Sequence, residues 1–160
     1  YLSRFATAVK TFAAITTLFY WRVLKPSVDK VSKAVRSRIM SRIRSTHTKP
    51  EVALRKALWA NGMRFRAHYG KEKIDVAFPR AKVAIFVDGC FWHLCPQHSH
   101  FPQSNRRYWL PKLKKNVARD KAKAKCLAAG GWKVMRFWEH DLKDAKNVVD
   151  KIKVALRERR

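Results

Sequence analysis

The sequence predicts a mixed α/β domain, and three observations predict it. The alternating stretch Lys73-Ile74-Asp75-Val76-Ala77-Phe78 returns across a Pro79–Lys82 turn as Val83-Ala84-Ile85-Phe86-Val87, which reads as a β-hairpin. A third strand-like run, Trp132–Trp138, follows a long lysine-rich segment that stops at Gly130-Gly131. Helical stretches with their own start and stop signals flank these strands. The chain is organised around Val87-Asp88-Gly89-Cys90-Phe91-Trp92-His93-Leu94-Cys95-Pro96-Gln97-His98, where thiols, imidazoles, a carboxylate and aromatics crowd together. An ordinary core would leave those polar groups unsatisfied, so the stretch reads as a site.

The 160 residues fit one domain plus an extension. Lys and Arg number 37 against 11 acids, a formal charge of +26, and self-repulsion on that scale calls for a polyanion. Hydrophobic residues make up 47% of the chain, which excludes a disordered basic tail. The basic residues are spread through several periodic segments rather than one amphipathic helix, so nucleic acid is expected and a membrane surface is not. Three cysteines cannot close a disulfide framework, and Cys90 and Cys95 beside histidines read as metal ligands in a reducing compartment.

Residues 1–28 stand apart. They carry no acid before Asp29, and their apolar run Phe12–Trp21 is too short for a confident membrane span. The segment reads as a leader, an amphipathic helix or upstream sequence, and the lack of an initial Met fits a fragment. It is given no functional weight, and residues 29–160 are expected to form the working domain.

Ser32–Ile43 follows as a short basic helix with Met40 among arginines. It reads either as a solvated helix docked through Ile39 and Ile43 or as a DNA-binding arm with Met40 against bases. Thr48 caps the next helix, Pro50 suits its first turn and Gly62 stops it. At 100° per residue Glu51 leans about 40° from the Leu54/Leu58 stripe. It is either a site acid or a dipole-friendly acid paired with Arg55. If Pro79 pairs with Lys82, Asp75 falls opposite Phe86, and Asp75, Phe86 and Asp88 share a face that can hold a divalent cation. A long helix after Ser104-Asn105 buries Leu113, Val117, Ala124 and Leu127, and a final helix is expected from Leu142 to Arg157.

Cys90, Cys95 and His98 offer three ligands for one tetrahedral ion, and zinc suits that set. The fourth is expected from His140 beyond the third strand, with Cys126 and His100 as alternates; two free thiols beside surface histidines are the bland alternative. Asp75, Asp88 and Glu51 supply carboxylates for a phosphate-polarising cation, and His93 is a natural proton acceptor.

Several motifs then occur together in order. Arg36-Ser37-x-x-Met40, Glu51-x-x-Leu54, Asp88-Gly89-Cys90-Phe91-Trp92-His93, Tyr108-Trp109, Lys115-Asn116-x-x-Arg119-Asp120, Gly131-Trp132-x-Val134 and Trp138-Glu139 resemble the very-short-patch-repair (Vsr) DNA mismatch endonucleases. The likeness runs from about Val31 to Leu142. It implies a restriction-endonuclease-like fold, a mixed sheet flanked by helices, with a structural zinc. It also implies magnesium-dependent nicking of one strand beside a T:G mismatch in double-stranded DNA.

By the same resemblance Asp75 binds magnesium, His93 is the catalytic histidine, Glu51 assists, and Asp88 stands where one family member has a second histidine. Phe91, Trp92 and Trp109 match an aromatic wedge inserted beside the mismatch, with Met40 entering from the other side; core packing is the alternative for Trp92 and Trp109. Ile74 replaces a proline expected before the aspartate, and the Cys-Cys-His set departs from the family's Cys-His-Cys and Cys. Phe86 sits where many restriction-like nucleases place a glutamate. The implied protein is a monomeric, cytoplasmic, nucleoid-associated enzyme. The rivals are a restriction-like or mobile-element nuclease without mismatch preference, and a zinc-stapled DNA-binding protein without catalysis.

Overall fold

The computed structural model describes residues 31–98, 102 and 105–159; the extension 1–28 and the alternate ligand His100 lie outside the described residues. In chain order the elements are α1 (Lys33–Ser41), α2 (Lys49–Ala60), β1 (Val76–Phe78), β2 (Val83–Asp88), α3 (Arg106–Ala129), β3 (Lys133–Trp138) and α4 (Ala145–Arg157). The domain is thus mixed α/β, as the sequence predicts. Asp141–Asp144 forms a 3₁₀ turn, so the last helix begins in a tighter winding than expected. Asp144 caps α4 by accepting the Asn147 N–H at 3.1 Å.

The three strands form one sheet in the order β1-β2-β3. β1 runs antiparallel to β2, pairing Val76 with Ile85 and Phe78 with Val83, which is the register set by pairing Pro79 with Lys82. β2 and β3 are parallel over six pairs, from Val83–Lys133 to Asp88–Trp138. The long connection through α3 provides the crossover that parallel neighbours require.

The alternation of β2 divides the core. Leu54 and Leu58 of α2 and Val148, Val149 and Ile152 of α4 pack with Val83, Ile85, Val76 and Phe78 on one face. On the other face Ala84, Phe86 and Ala77 meet Leu127 of α3, with Trp132 and Tyr69 at the margin. Helices therefore cover both sides of a small sheet. Leu113 is fully buried on α3, whereas Val117 and Ala124 are only partly covered, so the expected inner stripe narrows along the helix.

One expected strand boundary is corrected. The first strand does not begin at Lys73, because Lys73 has φ 52 and closes a turn by donating to the Gly70 carbonyl. Ile74 bridges back to Tyr69, and regular pairing starts at Val76. Asp75 consequently sits just before the ladder. α1 contributes no buried residue, and its Val35, Ile39 and Met40 remain exposed rather than docked. Among the described residues no helix is long and apolar enough to cross a membrane.

Candidate active-site cleft and metal cluster

A cleft of about 820 Å³ opens at the C-terminal end of β2. Its walls come from α1, the start of α2, the end of β2 and the first half of α3. Met40, Glu51, Asp75, Asp88, Trp92, His93 and Trp109 all line it, so most residues expected at the site share one space.

On the α2 side, Glu51 is only 4% exposed and saturated by donors. Thr48 Oγ1 donates to it at 2.8 Å, the His47 N–H at 3.0 Å and Arg55 Nη2 at 2.8 Å. The two sequence alternatives for this acid therefore coexist: Glu51 pairs with Arg55 and also faces the cleft. Ligand atoms of Glu51, His68 and Asp75 lie within 4.8 Å of one another, so this group can hold a metal ion. His68 touches Arg55 Nη2 at 3.2 Å, and burial followed by the Arg55 charge lowers its pKa. Asp75 accepts the Val87 N–H at 2.9 Å. Its pKa is pushed up to about 6, chiefly by burial and further by Glu51 and Asp88, against the opposing Val87 hydrogen bond and Arg55.

Across the cleft, Arg136 on β3 forks onto Asp88, with Nε at 2.7 Å from Oδ2 and Nη2 at 2.5 Å from Oδ1. The same Nη2 lies 3.4 Å from Asp120 Oδ2 on α3. That Asp120 oxygen meets His93 Nδ1 at 2.5 Å, while Asp88 Oδ1 is 3.7 Å from it. Burial lowers the Arg136 pKa, but Asp88 and Asp120 together hold it above the ordinary arginine value. Asp88 thus groups with His93 and Asp120, and Asp75 with Glu51 and His68. The two acids face one cleft but do not form one ligand set, because Asp75 precedes the strand ladder and turns back to Val87.

Behind the cleft Cys90, Cys95, His98 and His140 bring four ligand atoms within 4.8 Å of one another. Cys90 Sγ lies 3.1 Å from His140 Nδ1, and Cys95 Sγ lies 3.8 Å and 3.9 Å from His98 and His140 Nδ1. Sulfur and nitrogen on one tetrahedral zinc sit about 3.6 Å apart, so the donor set fits such an ion. Cys126 is exposed on α3 and does not join the group. Burial, then the adjacent Cys95, pushes the Cys90 pKa up to about 12.

The aromatic residues cluster. Phe91 meets Trp92 at 5.0 Å and Trp109 at 5.4 Å between centroids, and Tyr108 meets Trp109 at 5.2 Å. Trp109 is 5% exposed and Tyr108 51% exposed. Trp109 is therefore the buried base of the cluster, Phe91 and Trp92 are half-buried, and Tyr108 is its most open member. Met40 lies 38% exposed on α1, also facing the cleft.

Sequence reasoning did not select His68, Asp120 or Arg136. Asp120 stood inside a matched motif and could have been chosen from it. Arg136 carried a weaker signal, a charge among Val134, Met135, Phe137 and Trp138 near the end of the strand. His68 had no comparable signal.

Comparison with known proteins bears on what such a cleft does. Residues 28–99 match the family model for the DNA mismatch endonuclease Vsr. The chain is 48% identical over 120 residues to the type II nicking enzyme V.NaeI of Lentzea aerocolonigenes, covering 70% of this chain and 72% of that protein. It is 37% identical to V.NmeDIP of Neisseria meningitidis serogroup C, covering 82% and 93%. It is 33% identical to the DNA mismatch endonuclease Vsr of Escherichia coli K12, covering 76% and 80%.

The raised Asp75 pKa has a stability consequence in metal-free protein. An acid whose folded pKa lies above its unfolded value contributes stability at low pH that is lost as pH rises through the folded pKa, here about 6. Asp75→Asn should therefore stabilise metal-free protein near neutral pH by roughly 1–2 kcal/mol, below the ~3 kcal/mol that a two-unit shift allows. Urea unfolding at several pH values checks this: the gain should vanish below about pH 4. A variant no more stable than wild type at pH 7.5 would mean the carboxylate is not strained.

Proposed function

This chain belongs to the Vsr DNA mismatch endonuclease family, and on that premise we propose that it nicks one strand of duplex DNA beside a T:G mismatch, on a restriction-endonuclease-like fold. The observation that carries the reading is the convergence, in one cleft, of an uncomfortable carboxylate with a carboxylate-backed histidine. The +26 charge supports a phosphate backbone as the substrate surface.

Asp75, with Glu51 beside it, would hold magnesium, which when bound supplies charge to the scissile phosphate and its leaving oxygen. The protein's own part is then proton handling and orientation. Asp120 accepts from His93 Nδ1, which fixes the ring and leaves Nε2 as the nitrogen able to take a proton from water. Asn116 Nδ2 donates to the Trp92 carbonyl at 3.3 Å, tying the loop that carries His93 to α3.

Cys90, Cys95, His98 and His140 would hold a structural zinc. Its function is to pin the loop between His93 and α3 to the end of β3, since His140 and Cys90 come from different strand ends. Met40 on α1 and Phe91 with Trp92 on the opposite wall would enter the base stack, with Trp109 as the platform beneath them. Unstacking a step costs about a few kcal/mol, least where pairing is already weak, so insertion favours a mismatch.

A nicking assay with magnesium on T:G-mismatched and matched duplexes tests the reading. The wild type should nick the mismatched duplex preferentially. Asp75→Ala should bind both and nick neither; equal cutting of both by wild type would favour a nuclease without mismatch preference.

Trp92→Ala should cost roughly tenfold to a hundredfold on the mismatch, given about 1–3 kcal/mol per stacked base. Matched DNA should lose much less, so the preference narrows. Equal losses on both duplexes together with a lower Tm would show that Trp92 only packs.

Purified protein should contain about one zinc per chain, and Cys90→Ala should lose metal and thermal stability together. A folded, active preparation without zinc by atomic emission overturns the structural-zinc assignment.

A further inference from the structure

We infer that the Arg136 guanidinium is the built-in cation of the His93 half of the cleft, standing where a divalent ion would otherwise sit and positioning Asp120 against His93. This rests on the nuclease reading of the cleft, but its first test does not depend on activity.

The geometry centres on two oxygens. Asp88 Oδ1 lies 2.5 Å from Arg136 Nη2 and 3.7 Å from His93 Nδ1. Asp120 Oδ2 lies 3.4 Å from Arg136 Nη2 and 2.5 Å from His93 Nδ1. The oxygens that meet the imidazole are therefore the ones that Arg136 holds. Asp88, His93 and Asp120 have the side chains and spacing of a cation site, and a metal there would compete with the guanidinium for both carboxylates. In the other half Arg55 Nη2 holds Glu51 at 2.8 Å and touches His68 at 3.2 Å, while Asp75 accepts the Val87 N–H.

The fold explains why Arg136 can do this. Arg136 pairs with Phe86 across the parallel ladder, two positions before the Asp88–Trp138 pair. Its guanidinium passes over the Phe86 ring at 5.4 Å and reaches Asp88 along the same sheet face. That face is the one covered by α3, which presents Asp120. A guanidinium is planar and permanently charged, so it can fork onto one carboxylate and touch a second. Arg136 is accordingly a positioning residue, acting on the reaction through Asp120 and His93.

Two consequences follow. The cleft should take a single divalent ion, at the Asp75 side, and removing Arg136 should open a second site. Removing Arg136 should also slow chemistry more than it weakens DNA binding, because Asp120 loses its anchor.

Both can be measured on the full, zinc-loaded chain. Mn2+ titration followed by electron paramagnetic resonance, without DNA, should show one cleft site in wild type, abolished by Asp75→Asn. Arg136→Met should show an additional site that survives Asp75→Asn. In nicking assays Arg136→Met should lower kcat about a hundredfold, the scale of misaligned acid–base help, with KM changed less than about threefold; Arg136→Lys should recover part of kcat.

Because Arg136→Met leaves Asp88 buried without its partner, the double variant Asp88→Asn/Arg136→Met serves where the single variant does not fold. It should regain Tm without regaining kcat. Unchanged Mn2+ stoichiometry in folded Arg136→Met, or restored kcat in the double variant, overturns the inference. Absence of nicking in wild type would count against the nuclease reading alone, since the Mn2+ counts still decide the role of Arg136.

Discussion

The parallel pairing of β2 with β3 is the constraint on which both sites depend. It brings the C-terminal ends of two strands, fifty residues apart in sequence, side by side at Asp88 and Trp138. The backbone then extends the junction past the ladder. Glu139 donates its N–H to the Asp88 carbonyl at 2.9 Å, and its carboxylate accepts the Cys90 N–H at 3.0 Å. His140 is thereby delivered to Cys90, and the loop leaving β2 is bound at its root. An antiparallel neighbour would send His140 to the opposite end of the sheet, and neither the Cys/His group nor the His93 loop would have this partner.

Charge organises the cleft within that frame. Burying a carboxylate is costly unless it is paired. Glu51 and Asp88 are paired with Arg55 and Arg136 and are nearly inaccessible. Asp75 differs: burial pushes it toward the protonated form, and its best contact is a single backbone N–H. A carboxylate kept this way weakens the fold once it is ionised, which makes Asp75 a candidate for function rather than for stability. The same low-dielectric setting that penalises Asp75 strengthens the His93–Asp120 contact opposite.

Much of this was legible in the sequence, for identifiable reasons. The hairpin register followed from its two-residue turn centre at Arg80-Ala81, which leaves little choice of pairing. His140 was legible as a companion of Cys90, Cys95 and His98 because sheet ends can meet, and the four side chains do converge. The start of β1 was not legible, since an alternating Lys73–Phe78 pattern does not reveal that Lys73 adopts a left-handed backbone. Asp120 and Arg136 escaped selection because their roles depend on how α3 crosses the sheet. Local periodicity assigns a residue to a helix face but cannot say which strand residue that face will meet. Trp109 was left between wedge and core packing for the same reason: its burial depends on how Phe91, Trp92 and Tyr108 fold over it.

α1 completes the physical picture by what it lacks. Its N-cap is sound, with Ser32 accepting from Val35 N at 3.3 Å, yet none of its residues is buried. A nine-residue helix is too short to be stable by propensity alone, so it draws its order from a surface. The surface it lies against is the mouth of the cleft, where Lys33, Arg36 and Met40 join the wall opposite Trp92 and Lys112. Phosphates satisfy the basic side chains of such a helix, and an opened base step covers its apolar ones. On the proposed reading, duplex DNA filling the cleft would supply the burial this helix lacks. On that reading a mismatched step, cheaper to unstack, would admit the apolar side chains of this wall more readily than a sound one, and selectivity would need no hydrogen bond to either base.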